Sequence, residues 1–235
     1  MVFLVILALG LVAAFLWLRS TDVFAVKRVT ATGAERVTEA QIAAVTAGAM
    51  GKNLLSLSAG ELEKALRALP YVESAEVHRG FPDTLEIELK EYQPVARLQD
   101  QTGQVWLVSD SGKVLSGTQA AHFPDLPLLV PDIAVAVRAG QEVPAAIADV
   151  LPLAALVLSD DVCGRLPRLA EIAVSAAGCA ALVLEGGGEL RLGDCESLEA
   201  KLDVALDLVQ QCLAQGRLIE YIDASVAGRV AVKAK

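Results

Sequence analysis

Histidine is scarce in this chain, and the turn Gly-x-Ser-x-Gly is missing, so little is on offer to an enzyme that activates a serine. Of 235 residues only His78 and His122 are imidazoles. His78 falls on the polar side of an alternating stretch and His122 stands beside Phe123-Pro124. Neither has a partner group at a suggestive spacing, and both read as solvated surface residues. No Cys-x-x-Cys and no His-containing ligand set accompanies the four cysteines, which argues against zinc. Charge is sparse too, at 21% of residues, with a net value of −9 and no basic cluster. That balance excludes a protein that tracks nucleic-acid phosphates. With 54% hydrophobic residues and no low-complexity tract, it also excludes intrinsic disorder. The expected inventory therefore holds no catalytic residue, no metal and no cofactor.

Weak chemical motifs fail on inspection. Gly48-Ala49-Met50-Gly51-Lys52-Asn53 ends like a phosphate loop, but Thr46 stands where the first Gly belongs and Asn53 where a Mg²⁺-binding hydroxyl is needed. Gly186-Gly187-Gly188 reads as a hairpin turn. Glu86 and Glu88 project from one strand face and read as a pair that keeps that face soluble.

What is present begins with an apolar run from Met1 to Leu18, closed by Arg19-Ser20-Thr21-Asp22. As a helix it spans roughly 27 Å, just enough for a hydrocarbon core of about 30 Å. An uncleaved transmembrane anchor over residues 1–18 is expected. A cleaved signal peptide is the competing reading, with Val12-Ala13-Ala14 as a possible cleavage region and a secreted or periplasmic soluble binding protein as its product. Arg19, Lys27 and Arg28 follow the span and nothing basic precedes it, so the charge rule alone would keep the C-terminal side in the cytoplasm. A large domain can translocate despite weak local charge, and an extracytoplasmic C-terminal side is expected.

The fold class predicted is α+β. Residues 23–91 read strand, helix, helix, strand, strand. Thr38-Glu39-Ala40-Gln41 and Ser58-Ala59-Gly60-Glu61 are capping boxes that open the helices. Ile42 and Val45 lie on the first helix's buried side. Leu62, Leu66 and Leu69 form the stripe of the second, which Pro70 ends. Ala75 and Val77, then Leu85, Ile87 and Leu89, alternate with polar residues as two half-buried strands around Gly80-Phe81-Pro82-Asp83. Residues 92–235 read as a β-rich domain with helical insertions. Strands are expected over 104–108, 113–115, 169–175, 179–184, 189–192, 218–223 and 229–233. One helix starts at Pro144 and is limited or kinked by Pro152. Another follows Asp194, with Leu198, Leu202, Ala205, Leu206, Val209 and Leu213 as its stripe and Gly216 beyond its end.

Against that frame stands a series of short motifs. Phe24-Ala25-Val26-Lys27-Arg28-Val29-Thr30-Ala31-Thr32-Gly33 resembles the opening of a POTRA domain. Gly51-Lys52-Asn53-Leu54-Leu55-Ser56-Leu57 resembles its G-x-N-L-L-x-L stretch. The segment from Leu69 to Leu85 is similar to L-P-x-V-x-x-A-x-V-x-R-x-[W/F]-P-x-T-L. Glu91-Tyr92-Gln93-Pro94-Val95-Ala96 matches an E-R-x-P-V-A junction except for Tyr92. Further on, residues 105–115 resemble an L-V-D-x-x-G-x-V hairpin, and residues 123–127 the L-P-x-L segment after it. Tyr221-Ile222-Asp223 is similar to Y-V-D-L-R, with Ala224-Ser225 in place of Leu-Arg. By these residues the chain resembles the FtsQ/DivIB family. The resemblance implies a single-pass scaffold of the bacterial divisome in the cell membrane, at the septum, with no enzymatic activity. It also implies POTRA and β-domains facing the wall, and FtsB/FtsL-like bitopic partners.

Two surface expectations follow. If the strands around the triple glycine fold symmetrically about Gly187, Cys179 lies opposite Cys195 at a separation suited to a disulfide. Cys195 to Cys212 is excluded if a helix joins them, since 17 residues of helix separate its ends by about 25 Å. The docking surface is expected on the last strand and the element before it, at Tyr221, Asp223, Val226, Gly228, Val230 and Val232. A terminal strand commonly lies at a sheet edge, where it can accept a partner strand. In the family, the resemblance implies, the corresponding segment is where FtsB docks.

Overall fold

The computed structural model describes residues 2–119, 122–226 and 229–235; the side chains at positions 2, 8, 12, 14–16, 19 and 20 lie outside the described set. The chain divides into two compact units, residues 1–92 and 93–235.

The first unit opens with helix α1, Val2–Ser20. Among the described residues no helix is long and apolar enough to cross a membrane. There follow β1 (Arg28–Thr32), α2 (Glu39–Thr46), α3 (Ala59–Leu66), β2 (Val72–Gly80) and β3 (Thr84–Glu91), in the order the periodicity predicts. The sheet runs β1-β3-β2, with β1 parallel and β2 antiparallel to β3. Alternation puts Leu85, Ile87 and Leu89 against the helices. There they join Ile42, Leu54, Leu66, Ala75 and Val77 in one core. Burying a side chain such as Leu85 or Ile87 contributes about 1.5–3 kcal/mol.

The two predicted capping boxes part company. At α2 the box is formed: Gln41 N donates to Thr38 Oγ1 at 3.3 Å and Thr38 N to Gln41 Oε1 at 2.9 Å. At α3 Ser58 makes no capping hydrogen bond. Its ψ of 104° falls short of the 151° at Thr38, so the Glu61 amide is not carried over the hydroxyl. The second helix also ends earlier than expected. Pro70 disfavours helical backbone at Leu69, and the chain tightens into turns in which Leu69 N reaches Leu66 O at 3.0 Å. The Gly-Lys-Asn segment serves as a joint. Asn53 Nδ2 donates to the carbonyls of Leu18 (2.9 Å) and Thr21 (3.0 Å), satisfying acceptors at the C-terminus of α1.

Among the described residues the second unit is a nine-stranded mixed sheet with four helices. Its elements are β4 (Pro94–Gln99), β5 (Val105–Ser109), β6 (Val114–Thr118), β7 (Leu128–Pro131), α4 (Ala145–Ala148), α5 (Leu151–Val157) and α6 (Asp160–Cys163). After these come β8 (Leu169–Val174), β9 (Ala180–Leu184), β10 (Glu189–Gly193), α7 (Leu198–Ala214), β11 (Ile219–Val226) and β12 (Arg229–Ala234). Spatial order is β12-β11-β10-β9-β8-β7-β4-β5-β6. The parallel pairs β4–β7, β7–β8 and β10–β11 need crossovers, which β5–β6, α4–α6 and α7 respectively supply. Leu98, Leu129, Ile147, Leu153, Ile172, Leu182, Leu202 and Ile222 meet in a single core between sheet and helices.

Four features differ from the sequence reading. Strands β4 and β7 are additional. Proline weakens a strand signal, but Pro94 takes the first position of β4 and Pro131 the last of β7, where a missing donor costs least. Pro152 starts α5 in its first turn and does not kink a helix begun at Pro144. On α7, Cys212 and not Leu213 completes the buried stripe; Leu213 is 51% exposed. Finally, the β9–β10 hairpin is centred on Gly186, since Val183, Leu182 and Ala181 oppose Glu189, Leu190 and Arg191. Leu184 N donates to Gly188 O at 2.8 Å, closing a loop in which Gly186 and Gly187 hold φ of +98° and +93°. A bulge then shifts the register between Arg191 and Gly193.

Candidate partner-docking edge

β12 is the terminal strand of the sheet, held antiparallel to β11 with Tyr221 opposite Lys233, Ile222 opposite Val232 and Asp223 opposite Ala231. Because side chains alternate between faces, this register sorts the expected docking residues into two groups. Gly228 lies outside the described residues.

Tyr221 and Asp223 occupy the face turned away from α7. The Tyr221 ring lies between two cations, with the Arg191 guanidinium 4.9 Å and the Lys233 ammonium 6.0 Å from its centroid. Arg191 is held by Glu189 Oε2 at 2.8 Å. Asp223 Oδ1 accepts from the Ser225 hydroxyl at 2.6 Å and its amide at 3.0 Å. These bonds, with Arg191 nearby, hold the Asp223 carboxyl below the usual range. This face is polar and aromatic, with its charges already paired.

Val226, Val230 and Val232 share the other face. With Ala224 and the α7 residues Val204, Leu208 and Gln211 they line a groove of about 530 Å³. Val204, Val226 and Val232 are 45%, 56% and 41% exposed, so the groove floor is apolar and open. Its end is set by Lys201, a buried cation whose ammonium bonds the Asp194 carboxylate and the Asp194 carbonyl. The sequence reading missed this second wall. The signal was there, because Val204 and Leu208 are apolar yet lie off the buried stripe of α7.

The opposite end of the sheet is β6, and it is partly covered. Val114 N donates to Gln141 O at 2.8 Å and Gly140 N to Val114 O at 2.7 Å, so the 140–143 segment occupies its edge. Among the described residues β12 has no such cover on its outer edge.

The cysteines are free thiols, with Cys212 buried. The bulge in β10 carries Cys195 to Gly178, whose carbonyl its thiol approaches at 3.6 Å. Burial foremost, then the charges of Asp149, Asp194 and Cys179, pushes the Cys195 thiol up. Cys179 is thus a close neighbour of Cys195, although symmetry about Gly187 is not how they meet. His122 is exposed in a loop. His78 lies with Glu76 on the exposed face of β2, beside Glu88 of β3, in the only group of three metal-capable side chains among the described residues.

Comparison with known proteins converges on these two units. The model for "POTRA domain, FtsQ-type" matches residues 24–92, and that for "Cell division protein FtsQ/DivIB, C-terminal" matches residues 96–225, stopping before β12. The chain is 28% identical over 231 residues to the cell division protein FtsQ of Myxococcus fulvus, covering 92% of this chain and 76% of that one. Similarity to the FtsQ of Syntrophotalea carbinolica is 26% over 219 residues, or 91% of this chain and 75% of the relative. That of Anaeromyxobacter shares 31% over 109 residues, 46% and 36% of the two chains. With a family model covering more than half its length, and an FtsQ-type POTRA match ahead of it, the chain belongs to the FtsQ/DivIB family of bacterial cell-division proteins.

Proposed function

We propose that the protein is a non-catalytic, bitopic scaffold of the divisome, which gathers FtsB/FtsL-like division proteins at the septum through extracytoplasmic POTRA and β-domains. The observation that carries the reading is the free outer edge of β12 beside an apolar groove. A partner segment can add a strand to β12, its backbone supplying affinity and every second side chain entering the groove between β12 and α7. Arg229, with Lys233 and Lys235 paired to Glu220, lines that edge, and such edge charges discourage indiscriminate strand pairing.

The anchor is the apolar run Met1 to Leu18. Those 18 apolar residues would span roughly 27 Å as one helix at 1.5 Å per residue, against a hydrocarbon core of about 30 Å. Alkaline phosphatase fused after Gly103 is expected to be active, and the intact N-terminus to remain in the membrane fraction. An inactive fusion, or a mature chain beginning near Ala14, overturns the topology.

The docking reading is tested with Val230→Glu, Val232→Glu and Gly228→Trp, made singly. Folding is checked by circular dichroism and binding by co-purification with the FtsB-like partner. Each is expected to weaken binding by at least about tenfold, since a carboxylate in a desolvated interface lacks a partner and a bulky residue blocks backbone approach. Folded variants that all bind fully place the interface elsewhere.

A further inference from the structure

Outside the docking edge, the exposed face of the first unit's sheet carries a convergent set of ionisable side chains. The antiparallel register of β2 and β3 sets Glu76 directly opposite Glu88 and His78 directly opposite Glu86. The residues between them, Ala75, Val77, Ile87 and Leu89, are buried, which fixes all four polar groups on one face. Like charges directly opposite across an antiparallel pair are destabilising. Among the described residues the Glu88 carboxylate has neither an ion pair nor a hydrogen bond. Glu76 has only the His78 imidazole, with Nε2 3.6 Å from its Oε2. Glu86 is drawn aside toward Gly80, where a Cβ would meet its Oε1 at 2.6 Å. What remains is a convergent trio, one ligand atom each from Glu76, His78 and Glu88, all within 4.8 Å of one another.

We propose that Glu76, His78 and Glu88 form a surface site for a divalent transition-metal cation of the zinc type. One imidazole and two carboxylates are a borderline-soft donor set. Calcium and magnesium prefer all-oxygen shells and gain little from the imidazole. Bonds of about 2.0–2.2 Å place ligand atoms roughly 3.3–3.6 Å apart around a tetrahedral ion, a closure that exposed glutamates reach by rotamer changes. The sheet register holds the three Cα positions fixed, and water completes the shell. The bound ion replaces a repulsive cross-strand pair with a shared cation. The site joins β2 to β3 on the face away from α2 and α3, independently of the docking edge.

Full-length protein in detergent micelles, carrying nitrogen-labelled histidine, is titrated with zinc chloride and read by imidazole resonances. The chain has two histidines, so His122 serves as an internal control, and the four thiols are not part of the readout. His78 signals are expected to shift saturably at about one zinc per chain while His122 stays in place. Glu76→Gln and Glu88→Gln each weaken the apparent affinity at least about tenfold, and Glu86→Gln, the same charge change on a residue turned away, leaves it unchanged. All three positions are exposed, and circular dichroism verifies that the variants fold. The proposal is overturned if His78 does not respond at millimolar zinc, if His122 moves in parallel, or if Glu86→Gln weakens binding as much as Glu88→Gln.

Discussion

Glu91, the last residue of β3, accepts the backbone amide of Val37 at 2.8 Å, and its two carboxylate oxygens also take the amides of Glu35 and Arg36 at 2.9–3.0 Å. A buried carboxylate thus closes the loop that leads into the Thr38 cap of α2. Glu91→Gln sets an NH₂ against donors that need an acceptor. It is expected to destabilise the first unit by about 1–3 kcal/mol. Hydrogen exchange offers the direct check, with the amides of residues 35–37 losing protection in the variant. Unchanged protection at all three means the carboxylate does not hold the loop.

The register of β11 and β12 separates two candidate contact faces, and substitutions can rank them. If an added strand uses the groove beside α7, Val226→Ser and Val204→Ser weaken partner binding by about tenfold or more, while Tyr221→Ser costs less. The reverse order, read by titration of purified partner, moves the contact to the Tyr221 and Arg191 face.

Cys179 and Cys195 are neighbours with free thiols, and a disulfide between them is the pairing proposed for protein exported to an oxidising compartment. Burial raises the Cys195 thiol, so alkylation at neutral pH is expected to be slower there than at the exposed Cys163. Non-reducing peptide mapping after export is expected to recover Cys179 joined to Cys195. Recovery of both as free thiols sinks the pairing.

Asp100 closes the turn between β4 and β5. It accepts from the Thr102 hydroxyl at 2.6 Å, the Trp106 indole at 2.9 Å, and the amides of Thr102 and Gln104. The Thr102 and Trp106 side chains chiefly hold its carboxyl down at about 2, against about 3.9 in an unfolded chain. A depressed carboxylate contributes stability that is present above the unfolded value and lost as pH falls through the folded one. The urea midpoint should therefore decline between about pH 5 and pH 2, and Asp100→Asn should flatten part of that decline. Parallel pH profiles for the two proteins would falsify this assignment.

Local chemistry made the order of elements legible. Thr38 and Gln41 announce α2 within four residues, Leu85-Ile87-Leu89 alternate as β3 does, and Gly216 stops α7 where it stands with φ of +66°. The ordered series of motifs from Phe24 to Ala96, followed by weaker ones through residues 105–127 and 221–223, was enough to point to the family. Tertiary structure decided what depends on distant neighbours. Glu91 and Val37 are 54 positions apart, and nothing in either local pattern predicts their bond. Alternation within each strand groups Tyr221 with Asp223 and Val230 with Val232, but only the β11–β12 register places the two pairs on opposite faces. Which of those faces α7 would wall in, and whether β12 would lie at an edge, depended on strand order across the whole sheet. A helix cap or a strand period is set by hydrogen bonds and burial over a few residues. Strand neighbours and hairpin register are set by non-local packing, which here centred the hairpin on Gly186 instead of Gly187 and left one edge of the sheet open.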